Sequence, residues 1–116
     1  MIEFEIPVRT VSESNGREHW ARKASRARMQ RETARLTTRI FCADVDLPVV
    51  VQMSRVAPRE LDDDNLRGAL KAIRDGIADA FGVKDNDPRI EWQYAQERGS
   101  PKSYLVRVTI TPKAAT

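Results

Sequence analysis

Leu61-Asp62-Asp63-Asp64-Asn65-Leu66 opens the stretch that decides the fold, and Phe81-Gly82-Val83-Lys84-Asp85-Asn86-Asp87 closes it. Between the two acidic knots, Leu66, Leu70, Ile73, Ile77 and Phe81, joined by Ala69 and Ala80, recur at the spacing of one amphipathic helix. Asp64 or Asn65 can cap this helix, and early acids suit its dipole. Gly82 stands where a helix ends in a left-handed residue. Such a helix needs a sheet to lie on, and the flanking sequence supplies one. Upstream, Val49 to Val56 (VVVQMSRV) is β-branched and apolar between Pro48 and Pro58, and reads as a central strand. Downstream, Ile90, Trp92 and Tyr94 alternate with polar residues, Gly99-Ser100-Pro101 reads as a turn, and Tyr104, Val106, Val108 and Ile110 alternate again as the closing strand of a hairpin.

Nearer the N-terminus, Ile2, Phe4 and Ile6 alternate with Glu3 and Glu5, and Pro7 ends that strand. A polar loop with Ser12, Ser14, Asn15 and Gly16 follows. From His19 to about Ala43 there is no Pro or Gly, and good helix formers dominate. The apolar side of this first helix is thin: Trp20, Ala24, Ala27, Ala34 and Phe41, with Trp20 read as core. The order is β-α-β-α-β-β. We therefore expect an α+β (mixed α/β) class, with two helices packed on a four-stranded mixed sheet. A single domain should span residues 1–112, with 113–116 as a frayed tail.

A chain of 116 residues can bury a core without staples. Cys42 is the only cysteine, so no internal disulfide forms, and with the one histidine, His19, it cannot build a usual zinc site. No segment is long and apolar enough for a membrane span, and no signal-peptide pattern is present, so a cytoplasmic protein is expected. The net charge of +3 is unevenly spread. From Arg9 to Arg39 nine Lys or Arg face three Glu, whereas acids exceed bases from Arg59 to Glu97. Arg28, Arg31, Arg35 and Arg39 follow at three- and four-residue steps and form one basic stripe. That segregation suits a protein that grips a polyanion with one part and holds a cation with another.

Three adjacent carboxylates repel one another, and a second knot beside them adds to the cost unless a cation neutralises the group. Mg²⁺ or Mn²⁺, which prefer carboxylate oxygens, would serve, and phosphodiester cleavage uses such ions. Asp62 and Asp64 would leave one face if the chain is extended there. Asp85 or Asp87 would join them only if the next strand runs beside Asp62. The plain alternative is that Asp63 or Asp64 is a helix cap and Asp85-Asn86-Asp87 a turn. His19 reads first as a helix-start residue, Cys42 as a small buried one, and Lys102 as solvent-exposed.

The run Leu61-Asp62-Asp63-Asp64-Asn65-Leu66, the helix, and Gly82-Val83-Lys84-Asp85-Asn86-Asp87-Pro88-Arg89-Ile90 together resemble the RusA family of Holliday junction resolvases, found in bacteria and their prophages. The likeness covers roughly residues 58 to 95. It implies a dimeric, Mg²⁺- or Mn²⁺-dependent endonuclease that nicks four-way DNA junctions in recombination and repair. By position it implies Asp62, Asp64 and Asp87 as metal ligands and catalytic acids, with Asp85 the alternative to Asp87 and Asp63 in the variable place. The family carries a catalytic lysine where this chain has Gly68. Arg67 or Lys71 would then supply positive charge, Arg67 without proton donation. Branched DNA would be gripped by Arg28, Arg31, Arg35 and Arg39, with Asn15 and Arg17 in the polar loop. Two rivals remain open: a branched-DNA-binding protein on this fold that cuts weakly or not at all, and a non-catalytic interaction module whose acids are caps and turns.

Overall fold

The computed structural model describes residues 1–12 and 19–113. Its elements are β1 (Ile2–Ile6), α1 (Trp20–Phe41), β2 (Val49–Ala57), α2 (Asp63–Ala69), α3 (Lys71–Ala80), β3 (Ile90–Arg98) and β4 (Leu105–Pro112). The α+β class and the four-stranded mixed sheet are as the sequence leads one to expect. No helix among the described residues is long and apolar enough to cross a membrane.

The strands lie in the order β1-β4-β2-β3. β2 and β3 run parallel with Val49 opposite Ile90 and Ala57 opposite Arg98, whereas β4 is antiparallel to both β1 and β2. The expected β3–β4 hairpin is therefore corrected: β4 inserts between β1 and β2. The connection crosses the end of β2, where the Gly99 N–H donates to the Ala57 carbonyl at 2.8 Å. A side chain at Gly99 would press on Val56, and Lys102 takes a left-handed φ of 65° in this turn. The insertion gives β2, a strand with apolar side chains at most positions, a neighbour on each side.

One sheet face carries Phe4, Ile6, Val51, Met53, Val106, Val108 and Ile110 into the core, where they meet Ala34, Leu66, Leu70, Ile73 and Ile77 from the helices. The opposite face is polar. On it Arg107 bridges Glu5 and Glu97 at 3.1 and 2.5 Å.

The second helix is two helices. Leu70 sits between them at φ −99°, ψ 1° and is fully buried. Gly68, a weak helix former in the last turn of α2, loosens the chain just before the break. The cap is Asp62, earlier than expected, with its Oδ1 accepting from the Asn65 N–H at 2.9 Å. Gly82 adopts φ 73° after α3, as its place predicts.

The core side of α1 also differs from the sequence reading. Gln30, Ala34 and Thr38 are its buried residues, and Trp20 is 75% exposed. The approach to α3 is close at Ala34, where an added Cβ at Gly76 would lie 2.2 Å from the Arg31 carbonyl oxygen, while Trp20 precedes Gln30, the first buried residue of α1, by almost three turns and lies outside that seam. At the other terminus β4 includes Pro112, and the Lys113 N–H donates to the Pro48 carbonyl at 3.0 Å. Lys113 is thus tied to the sheet, and residues 114–116 lie outside the described residues.

Candidate metal and nucleic-acid site

The first acidic knot follows directly from the end of β2. Asp62 is extended and capped into α2, and Asp63 and Asp64 already belong to the helix. The condition for a shared face, an extended chain through all three, therefore ends at Asp62. In a helix, residues two apart do not face each other. All three carboxylates are exposed, and none forms an ion pair among the described residues.

The second knot is arranged differently. Asp85 Oδ2 accepts from Lys71 Nζ at 2.7 Å and lies 3.1 Å from Arg74 Nε. Its backbone carbonyl accepts from Arg74 at 3.0 Å and from Trp92 Nε1 at 2.8 Å. The Lys71 hydrogen bond, joined by the charges of Lys71 and Arg74, holds the Asp85 carboxyl below its usual range. Lys71 is correspondingly raised, by Asp85 first and also by Asp75, 2.9 Å away. Asp87 is clasped by Arg89 through side chain and backbone, which lowers it to about 2.

The parallel register separates the knots: one follows the C-terminal end of β2, and the other precedes the N-terminal end of β3. Among the described residues no three of His, Cys, Asp and Glu come together to hold a metal ion. The set Asp62, Asp64 and Asp87, or Asp85 in place of Asp87, is thus not gathered here. A single carboxylate of the first knot is enough for the mode in which Mg²⁺ binds one or two carboxylates and takes its remaining oxygens from water and substrate phosphate.

Arg67 is better placed than Lys71. It has no ion pair among the described residues and lies over the Tyr94 ring at 4.6 Å. With Asp63, Gln52, Trp92 and Tyr94 it lines an open pocket along β3. Arg74 continues the series: it donates to Tyr94 Oη at 2.8 Å and covers the Trp92 ring at 4.8 Å. Sequence reasoning missed Tyr94, Trp92 and Arg74 because strand alternation assigns both aromatics to core. Only the edge position of β3, a tertiary fact, half-exposes them.

The arginine stripe of α1 divides in two. Arg31 makes a two-pronged pair with Asp79 at 2.6 and 2.9 Å, and Arg35 is paired with Glu32. Those hydrogen bonds raise both guanidinium pKa values, and Asp79 and Glu32 are lowered in turn. Arg28 and Arg39 have no such partner among the described residues. Asn15 and Arg17 lie outside the described residues. His19 is the α1 cap, its Nδ1 accepting from the Ala21 N–H at 3.2 Å. Cys42 is buried, which pushes its thiol up. No family model matches this chain, and no curated protein matches it either.

Proposed function

We propose that the chain is a divalent-metal-dependent endonuclease that nicks branched DNA, four-way junctions above all, in recombination and repair. The observation that carries the reading is that Asp62, Asp63 and Asp64 make no ion pair among the described residues of a basic protein, while Asp85 and Asp87 are both paired. Charge that the fold leaves uncompensated is available to an external cation. Asp62 and Asp64 would hold Mg²⁺ or Mn²⁺, which when bound supplies charge relief at the phosphate and a more acidic water. Arg67, in the last turn of α2 and with no carboxylate partner among the described residues, would steady the charge that develops on the phosphate. Asp87 would join only if the opposite ends of the β2–β3 pair were brought together and Arg89 gave way to the cation. Arg28 and Arg39 would meet the phosphates of a DNA arm, with Arg31 and Arg35 contributing less because their charge is already shared.

A homodimer would match the two equivalent strands of a junction. Its support is an outward row on α1, Met29, Leu36 and Ile40, exposed by 55, 48 and 75% at helical spacing. Antiparallel self-pairing of that row would set the start of α1, with Arg22, towards Asp44 and Asp46 beyond its other end. The second reading, a branched-DNA-binding protein that cuts weakly, draws on Gly68 in place of the expected lysine and on the engagement of Lys71 by Asp75 and Asp85. Incubation of a labelled four-way junction with and without Mg²⁺ or Mn²⁺ separates them. Metal-dependent nicks support the nuclease, and binding without nicks supports the second reading.

A further inference from the structure

β2 also carries a buried cation. Arg55 is only 5% exposed and points with Val51 and Met53 to the helix-covered side. Its Nε donates to Thr10 Oγ1 at 2.9 Å and its NH1 to the Arg59 carbonyl at 2.7 Å. Both acceptors are neutral. No carboxylate pairs with it among the described residues. Desolvation lowers its pKa, yet a guanidinium does not lose its proton in a protein. A buried charge without a counter-ion is costly. Tying the exit of β1 to the β2–α2 connection needs only a neutral donor, so that task does not account for the charge.

The surroundings add to the positive field. Arg55 opens on a pocket of about 510 Å³ shared with Arg9, Arg59, Ser12 and Tyr104, and no acid lines it among the described residues. The Arg9 guanidinium lies over the Tyr104 ring at 4.5 Å, which holds it at the rim. Val11, Pro58 and Leu61 supply apolar wall, so the field is weakly screened. Planar guanidinium groups match the oxygens of a phosphate.

We infer that the pocket framed by Arg9, Arg55 and Arg59 is a seat for a phosphate group. Leu61 in its wall precedes Asp62, and Ser12 Oγ donates to Asn65 Oδ1 at 3.1 Å, so the seat adjoins the first acidic knot. As a place for a backbone phosphate next to the one cleaved, it rests on the nuclease reading; as a phosphate seat, it does not.

The test uses the full chain with inorganic phosphate, titrated by calorimetry against chloride at equal ionic strength. Wild type should bind phosphate saturably. The double variant Arg9→Gln/Arg59→Gln changes only exposed side chains, so it should fold, and it should bind phosphate about tenfold more weakly or worse. Lys84→Gln, an exposed cation outside that pocket, should bind it as wild type does. No phosphate binding by wild type, or equal binding by the Arg9/Arg59 variant, overturns the seat. A second arm uses an oligonucleotide without terminal phosphates. If the Arg9/Arg59 variant also lowers the slope of log affinity against log salt, by about 0.9 per lost contact, the seat takes backbone phosphate. If the slope is unchanged while phosphate binding falls, it takes a free phosphate or nucleotide. Intact phosphate binding in a protein that never nicks DNA would sink the nuclease reading and leave the seat standing.

Discussion

The carboxylates at the head of α2 stand in solvent with no cation paired to them among the described residues, whereas those that follow α3 are each held by at least one. Asp62 uses one oxygen to cap its helix, and Asp63 and Asp64 accept no side-chain hydrogen bond among the described residues. Asp85 is gripped by Lys71, Arg74 and Trp92, and Asp87 by Arg89. The packing differs in the same sense. α3 buries Ile73, Gly76, Ile77 and Ala78, while α2 buries Leu66 and Ala69 and leaves its first turn exposed. Where a charge is answered within the chain, its removal is felt as stability. Where it is left open, removal should be felt as function, and the fold should barely notice.

The largest expected effect follows at once. Asp64→Asn should lower metal-dependent cleavage at least about a hundredfold, about 2.7 kcal/mol of transition-state stabilisation. Junction binding should persist. Thermal stability without metal should hold or rise, because one of three adjacent charges is gone. A variant that nicks a labelled junction at the wild-type rate, or that melts well below wild type, would break the contrast between the two knots.

The converse belongs to α3. Gly76→Ala forces a methyl to within 2.2 Å of the Arg31 carbonyl oxygen and 2.8 Å of Ala34 Cβ. The helices must move apart, at a cost of about 1–3 kcal/mol. Denaturant midpoints should report that loss, with the folded fraction retaining its activity. A midpoint equal to wild type would mean that the α1–α3 seam yields freely.

Arg67→Ala should slow cleavage about tenfold, about 1.4 kcal/mol. Lys71→Ala should do less, since Asp75 and Asp85 already share that ammonium. Gly68 has nothing within 4 Å of a would-be Cβ, so Gly68→Lys meets no clash and asks whether the missing charge can be restored there. Equal rates for Arg67→Ala, Lys71→Ala and wild type would move the charge elsewhere.

These contrasts show which parts of the molecule were legible in the sequence. The strands announced themselves by alternation and β-branching, and Gly82 by its place after an apolar period. The helix break at Leu70 was hidden because Leu70 keeps the apolar period across it. Trp20 read as core because size and apolarity suggest burial, but it stands in the first turn of α1, well before Gln30, where that helix first meets the core. The acids were visible as residues, yet their partners were not. Arg74 reaches Asp85 across eleven residues, and the separation of the knots follows from β2–β3 register, which no local spacing encodes.

The smallest effect concerns acid, and it divides the second knot itself. The carboxyls of Asp85 and Asp87 are both depressed in the folded protein. A depressed carboxyl contributes stability above its unfolded pKa and loses that contribution as pH falls through the folded value. For Asp85 the partners Lys71 and Arg74 are brought in by folding, so protonation costs the fold directly. For Asp87 the partner is Arg89, two residues away, and an unfolded chain can keep much of that contact. Melting temperature followed from neutral pH down through the carboxylate range should therefore fall less steeply in Asp85→Asn than in wild type, from a lower starting point. Asp87→Asn should nearly retrace the wild-type curve. If the Asp87 variant flattens the acid limb as much as the Asp85 variant, the Asp87–Arg89 pair is formed by folding rather than by proximity in the chain. The second knot would then be tied at two points instead of one.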